Sequence, residues 1–280
     1  MLVSSPAKFT RYLAIKGKRP DGYHSVELIS TTLDHVCELS DDIELIKSQA
    51  FEFICEGPEA RGIPNNEDNL AVKALRLFEE KWSTQLQVSL RMYKRIPHGA
   101  GLGGGSSNAA AVLKSIPILF DRGISQFELL EMASKIGSDV PLFILGGTIL
   151  GLNKGEKVEK LASIDPGYQI IVNAGISVRT EDVYNSIGYE LFAPSSIKNV
   201  IKSAETIPRR NDLAPFAYKI SPDLQEVAHV LSDTGGDVLL SGSGGCFSVL
   251  YESEDTCKTA ISWLHKQKPD WKIYDIGLPR

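Results

Sequence analysis

Cysteine is scarce in this sequence. The 280 residues include four, Cys37, Cys55, Cys246 and Cys257, and none share a C-x-x-C spacing. That argues against a disulfide framework and a cysteine zinc site, and leaves buried or incidental thiols. The histidines are as dispersed. His35, His98, His229 and His265 have no partner at metal-ligand spacing, so no metal site is assigned to them. Positive charge is not in excess: 30 Lys and Arg against 35 Asp and Glu leave a formal net charge of −5. That speaks against wrapping nucleic acid, and no block of Lys and Arg suggests a membrane surface. No apolar run nears the roughly 18 residues of a membrane span. The start, "MLVSSPAKFTRYLAIKG", lacks a basic segment followed by a long apolar core, so a signal peptide is not expected and a cytoplasmic location is. Internal repeats and low-complexity tracts are missing, and the oligomeric state is not legible.

What is present is a mixture of strand and helix patterns. "KFTRYLAIKG", "HSVELISTTL", "DIELIK" and "FEFIC" are rich in β-branched and aromatic residues and are separated by turn formers. Residues 69–82 carry apolar side chains at helical spacing, with Asp68 or Asn69 as the cap. Residues 86–94 alternate as a half-exposed strand does. Further helices are expected from about Ser106, at "SQFELLEMASKIG", at 222–233 and at 254–267, and further strands at 169–174, 237–242 and 246–252. Pro and Gly interrupt the pattern near 160–169. The expected fold class is α+β in two domains, 1–160 and 161–280.

One stretch stands out. "PHGAGLGGGSSNAAAVL" places five glycines within residues 99–105 and then turns to helix formers. Glycine costs conformational entropy, so such a cluster needs a reason. Gly99, Gly101 and Gly104 satisfy G-x-G-x-x-G, but the strand before them alternates and "RIPH" intervenes, unlike a dinucleotide fingerprint. Counted from Gly99 as a Walker A loop, Gly105 falls where the lysine belongs. A different phosphate cradle remains: glycines let successive N–H groups converge on an anion, and Ser106 and Ser107 stand at a helix N-terminus whose dipole favours negative charge. A tight turn with no ligand is the plain alternative. Lys8 and Lys94 are placed to supply the missing cation.

The same stretch resembles the phosphate-binding motif of the GHMP kinases, P-x-x-x-G-L-G-S-S-A-A. "SPAKFTRYLAIKGKRPDGYHSVE" is similar to the family's N-terminal motif, and "LLSGSGGCFSVLYE" to its glycine-rich C-terminal one. "GKRPDGYH", "GLGGGSSNAA" and "GSDVPLF" point to the branch acting on 4-diphosphocytidyl-2-C-methyl-D-erythritol in non-mevalonate isoprenoid synthesis. The resemblance covers nearly the whole chain, with "NEDNLAVKA" and "RTEDVYNSI" also fitting. It implies a two-domain GHMP kinase fold with the active site in the interdomain cleft, an N-terminal ATP-binding domain, ATP and Mg²⁺, and a small cytidyl substrate. Lys8 and Asp139 match the catalytic pair. Asn69 and Lys94 match positions near the adenine, and Pro97, Gly99, Ala100, Gly101, Leu102, Gly103, Gly104, Gly105, Ser106 and Ser107 match the nucleotide loop. Thr10, Tyr23, His24, Thr180 and Tyr184 match substrate contacts, with Tyr23 and Tyr184 on the two faces of the cytosine. No metal ligand is assigned, Ser107 being one candidate. The chain departs from the family at Thr10, where Asn is usual, at Arg11, where an apolar residue is common, and at "NAG" (173–175), which replaces Pro-Gly.

Each residue also has a plainer reading. Asp139 suits the first turn of a helix, Lys8 an edge strand, and Tyr23 and Tyr184 an ordinary core or surface. As chemistry, a carboxylate that reaches a hydroxyl is a general base, and a lysine beside it stabilises the charge that develops on attack. Two rivals stay open: a family relative acting on another alcohol, and a catalytically silent nucleotide-binding regulator. If strand alternation holds, Arg11 points away from Lys8.

Overall fold

A computed structural model describes residues 1–188, 196–197 and 207–277. The strands are β1 (Leu2–Pro6), β2 (Lys8–Lys18), β3 (His24–Thr32), β4 (Ser40–Lys47), β5 (Glu52–Glu56), β6 (Val88–Tyr93), β7 (Thr148–Asn153), β8 (Lys157–Lys160), β9 (Tyr168–Asn173), β10 (Arg210–Asn211), β11 (Asp237–Leu240), β12 (Cys246–Tyr251) and β13 (Lys272–Asp275). The α-helices are α1 (Leu70–Trp82), α2 (Gly104–Leu119), α3 (Gln126–Ile136), α4 (Val140–Leu145), α5 (Thr180–Asn185), α6 (Ala214–Ile220), α7 (Pro222–Ser232) and α8 (Glu254–Gln267).

The strands form three sheets, ordered β1-β4-β6-β5, β10-β2-β3-β7-β8 and β11-β12-β9-β13. The first sheet turns Ile43, Leu45, Val88, Leu90 and Met92 inward against α1 and α2. α1 meets it with Ala71, Val72, Leu75 and Phe78, the spacing of one helical face. α2 is apolar on most sides and is the central helix of this core. A second core joins Leu13, Ile15, Val26 and Leu28 of the middle sheet to Ile170, Val172, Phe247 and Val249 of the third sheet. Residues distant in sequence thus share one core where the middle sheet meets the third.

β2 carries the feature that places the site. Its register against β3 shifts between Thr10 and Tyr12, so Arg11 is an extra residue in a bulge. Lys8 and Thr10 face one side, and after the bulge Leu13 takes that side while Tyr12 and Ala14 pack on the other. Arg11 turns out of the cleft and donates from Nε to the Ile207 carbonyl at 3.1 Å.

Candidate active site

The glycine stretch leads directly into α2, which begins at Gly104 rather than near Ser106. Glycine's low helix propensity hides this start in the sequence. The loop is held from behind. The Leu102 carbonyl accepts from Lys8 N (2.9 Å), that of Ala100 from Cys246 N (3.1 Å), and that of Gly103 from Ser107 N (2.9 Å). No backbone N–H from Gly99 to Ser106 donates to another described protein group, and all these residues line a cleft of about 990 Å³. The loop therefore presents donors to the cleft at a helix N-terminus, the arrangement that binds an anion.

The "SGSGG" turn between β11 and β12 explains part of the glycine density. A Cβ on Gly101, where φ is +75°, would come within 2.0 Å of the Ser241 carbonyl oxygen. A Cβ on Gly245 would lie 2.6 Å from Ala100 Cα. Two glycine-rich segments 140 residues apart pack backbone on backbone, joined by Ser241 Oγ donating to the Gly101 carbonyl at 3.4 Å.

At this end of the cleft Lys8, 5 % exposed, brings Nζ within 3.8 Å of Asp139 Oδ2. Lys8 also donates to Thr10 Oγ1 at 2.9 Å. Asp139 is the N-cap residue of α4, yet its side chain makes no capping hydrogen bond. The carboxylate is thus available to the cleft.

Lys94 is arranged differently. It is 2 % exposed, and its Nζ donates to Asp41 and, at 2.7 Å, to Asn108 Oδ1. Asp41 is fully buried and also accepts from the backbone N–H groups of Arg95 and Ile96. Asn108 donates to Ser5 Oγ, which donates to Ser107 Oγ at 2.8 Å. This chain of bonds ties β1, β4 and the strand before the loop to the first turns of α2. Ser107 lines a second, smaller cavity, of about 300 Å³, and not the main cleft. Asn69 caps α1, accepting from Ala71 N and donating to the Pro64 carbonyl, while still lining the cleft.

The other end of the cleft is built from side chains. His24 and Tyr184 have ring centroids 5.6 Å apart. Burial, and then Lys18, hold the His24 imidazole below its ordinary value, and its Nε2 has no partner among the described residues. Burial, and then the Asp139 carboxylate, push the Tyr184 phenol up. Tyr23 stands at the rim, 58 % exposed, with the Lys154 ammonium 4.6 Å from its ring centre. Thr180 Oγ1 lies 2.7 Å from Ser243 Oγ of the glycine-rich turn.

Residues 69–147 match the family described as GHMP kinases N terminal domain. A 4-diphosphocytidyl-2-C-methyl-D-erythritol kinase of Exiguobacterium sibiricum is 34 % identical over 94 % of this chain and 93 % of its own. One from Geobacillus kaustophilus is 35 % identical over 94 % and 92 %. The crystal structure of a 4-(cytidine 5'-diphospho)-2C-methyl-D-erythritol kinase superposes with a TM-score of 0.79 at 30 % identity, covering 100 % of both chains. The chain belongs to the 4-diphosphocytidyl-2-C-methyl-D-erythritol kinase family of GHMP kinases.

Its fold is the two-domain α+β fold of the GHMP kinases. Set against the GHMP pattern P-x-x-x-G-L-G-S-S-A-A, Gly104 and Gly105 stand where the two serines belong, and Ser106 and Ser107 stand two positions deeper in the helix, at the pattern's alanines. Of the residues that the GHMP kinase resemblance implied, all but Ser107 line the one cleft. Sequence reasoning missed Asp41, Asn108, Ser30, Ser243 and Lys154. Asn108 and Ser243 lie inside the quoted glycine-rich motifs and Asp41, Ser30 and Lys154 outside the quoted motifs; only their contacts in space single them out. No helix among the described residues is long and apolar enough to cross a membrane.

Proposed function

We propose that the chain transfers the γ-phosphoryl group of ATP to the 2-hydroxyl of 4-diphosphocytidyl-2-C-methyl-D-erythritol, as an ATP-dependent kinase of isoprenoid precursor synthesis. Relatives across nearly the whole chain carry that name. The observation that carries the chemistry is the run of unpaired N–H donors from Gly99 to Ser106 beside the Lys8–Asp139 pair.

In this reading the loop and the α2 N-terminus hold the nucleotide phosphates, with Asn69 near the adenine. The N-terminal domain, 1–160, carries this nucleotide site, and the C-terminal domain, 161–280, closes the cleft with Thr180, Tyr184 and the "SGSGG" turn. Asp139 takes the proton of the attacking hydroxyl. Lys8 stabilises the negative charge that grows on the oxygens during transfer. Tyr184 and Tyr23 supply aromatic faces for the cytosine, and His24 offers Nε2 to its polar edge. Lys94, neutralised by Asp41, shapes the loop rather than gripping phosphate.

Mg²⁺ would accompany the nucleotide and neutralise phosphate charge. The donor chemistry fits: Asp139 and Ser106 offer hard oxygens in the cleft, the sparse protein set that suffices when phosphates and water complete the shell. Ser107 fits less well, since its hydroxyl is engaged by Ser5 and faces the second cavity.

The test is a panel of alcohols with ATP, scored by ADP release and product mass. Turnover of the cytidyl substrate, with mevalonate and homoserine inert, is expected. ADP release with another alcohol and none with the cytidyl compound would overturn the reading.

A further inference from the structure

Thr10 and Ser30 are directly opposite in the β2–β3 ladder, immediately before the Arg11 bulge. Their hydroxyl oxygens are 2.9 Å apart, and either can be the donor. Both are buried, at 2 % and 1 % exposure. Thr10 lines the cleft and Ser30 does not.

Hydrogen counting decides the direction. Lys8 has donors and no acceptor, so Thr10 Oγ1 must accept from it. If Thr10 then donated to Ser30, the Ser30 hydrogen would be left buried with no acceptor among the described residues. A buried polar group with an unmade bond is costly. If Ser30 donates instead, Thr10 accepts twice and both its lone pairs are filled. Its own hydrogen then has one direction left, into the cleft.

We infer that Ser30 is a positioning residue that fixes the Thr10 hydroxyl as a hydrogen-bond donor to an oxygen of the bound alcohol substrate. This rests on the kinase reading above. An asparagine carries both polarities in one side chain, a carbonyl to accept from Lys8 and an N–H to donate. A threonine hydroxyl also accepts and donates but rotates freely, and the bond from Ser30 fixes its direction.

Two experiments test this. Neutron diffraction from deuterated crystals of the unaltered protein should place the Ser30 deuterium on the line to Thr10 Oγ1 and the Thr10 deuterium toward the cleft. A Thr10 deuterium on the line to Ser30 would overturn the inference. In kinetics, Ser30→Ala should lower kcat/KM for the alcohol by about 5- to 10-fold, the size of one hydrogen bond, with the KM for ATP unchanged. Adding Thr10→Asn to that variant should recover most of the loss. An equal loss for both substrates, or no recovery, marks Ser30 as merely structural and sinks the proposal. Should the unaltered enzyme not use the cytidyl alcohol, the kinase reading fails, and the neutron maps still decide the polarity of the pair.

Discussion

The two ends of the cleft are built by opposite rules. At the glycine end backbone lies on backbone: Gly101 and Gly245 leave no room for a Cβ, and loop carbonyls are tied down while the N–H groups face the cleft. At the other end, Tyr184, His24 and Tyr23 meet the cleft with side chains, and Tyr23, at the rim, is mostly in solvent. The difference fits the ligands proposed above for each end. An anion is recognised by N–H groups that every residue except proline has, so their placement is what matters. A base needs flat faces and polar edges, which side chains supply.

The largest break should come from Asp139→Asn. The change is nearly isosteric and the carboxylate caps nothing, so folding and ATP binding should persist. kcat should fall by about 10²–10⁴-fold, the range for a lost general base. Turnover near the unaltered level would remove Asp139 from the mechanism.

Lys94→Met asks whether this lysine serves the fold or the phosphate. It leaves Asp41 buried and uncompensated, which should cost about 3–5 kcal/mol in denaturant unfolding. Adding Asp41→Asn should restore part of that stability, with ATP affinity close to normal. A stable double variant with lost ATP binding would return Lys94 to the phosphates.

Tyr184→Ala probes the side-chain end of the cleft. It should weaken CDP or the cytidyl substrate by about 5- to 150-fold, the worth of one aromatic stack, with ATP nearly unaffected in parallel titrations. Equal loss for both would indicate a general defect.

Gly105→Ala is a gentler probe of the glycine end than any change at Gly101. Its Cβ would meet only Leu70 Cδ1, at 3.6 Å, so the fold should hold. ATP affinity should drop about tenfold, because the added methyl crowds a phosphate held at the α2 N-terminus. Unchanged ATP affinity by calorimetry would mean that the first turn of α2 does not face phosphate.

The smallest effect concerns pH. Because His24 is held below its ordinary value, the unfolded chain binds a proton before the native state does. Stability should therefore decline as pH falls below about 6.5. His24→Asn should flatten that part of a melting-temperature profile. Parallel profiles for the two proteins would show that His24 is not coupled to folding.

Much of the fold was legible. α1, α3 and α8 follow their periodicity and caps, and α7 its periodicity alone, because an amphipathic face and a cap are local. The short elements β1, β8, α5 and α6 were not read, since four to seven residues carry too little pattern. Arg11 does leave the Lys8 side, but simple alternation would then have kept Tyr12 beside Lys8 and Thr10. The bulge reverses the faces beyond it and brings Leu13 there instead.

By itself the sequence determined the glycine loop and the helices whose apolar faces build the first core. These depend on residue type and spacing within a few turns of chain. Only the tertiary structure decided which partners the two candidate lysines find. Lys94 meets Asp41 from 53 residues away and is neutralised. Lys8 meets Asp139 at 3.8 Å in an open cleft. A charge's role depends on the partner it finds and the water it loses, and both are settled only when distant strands pack.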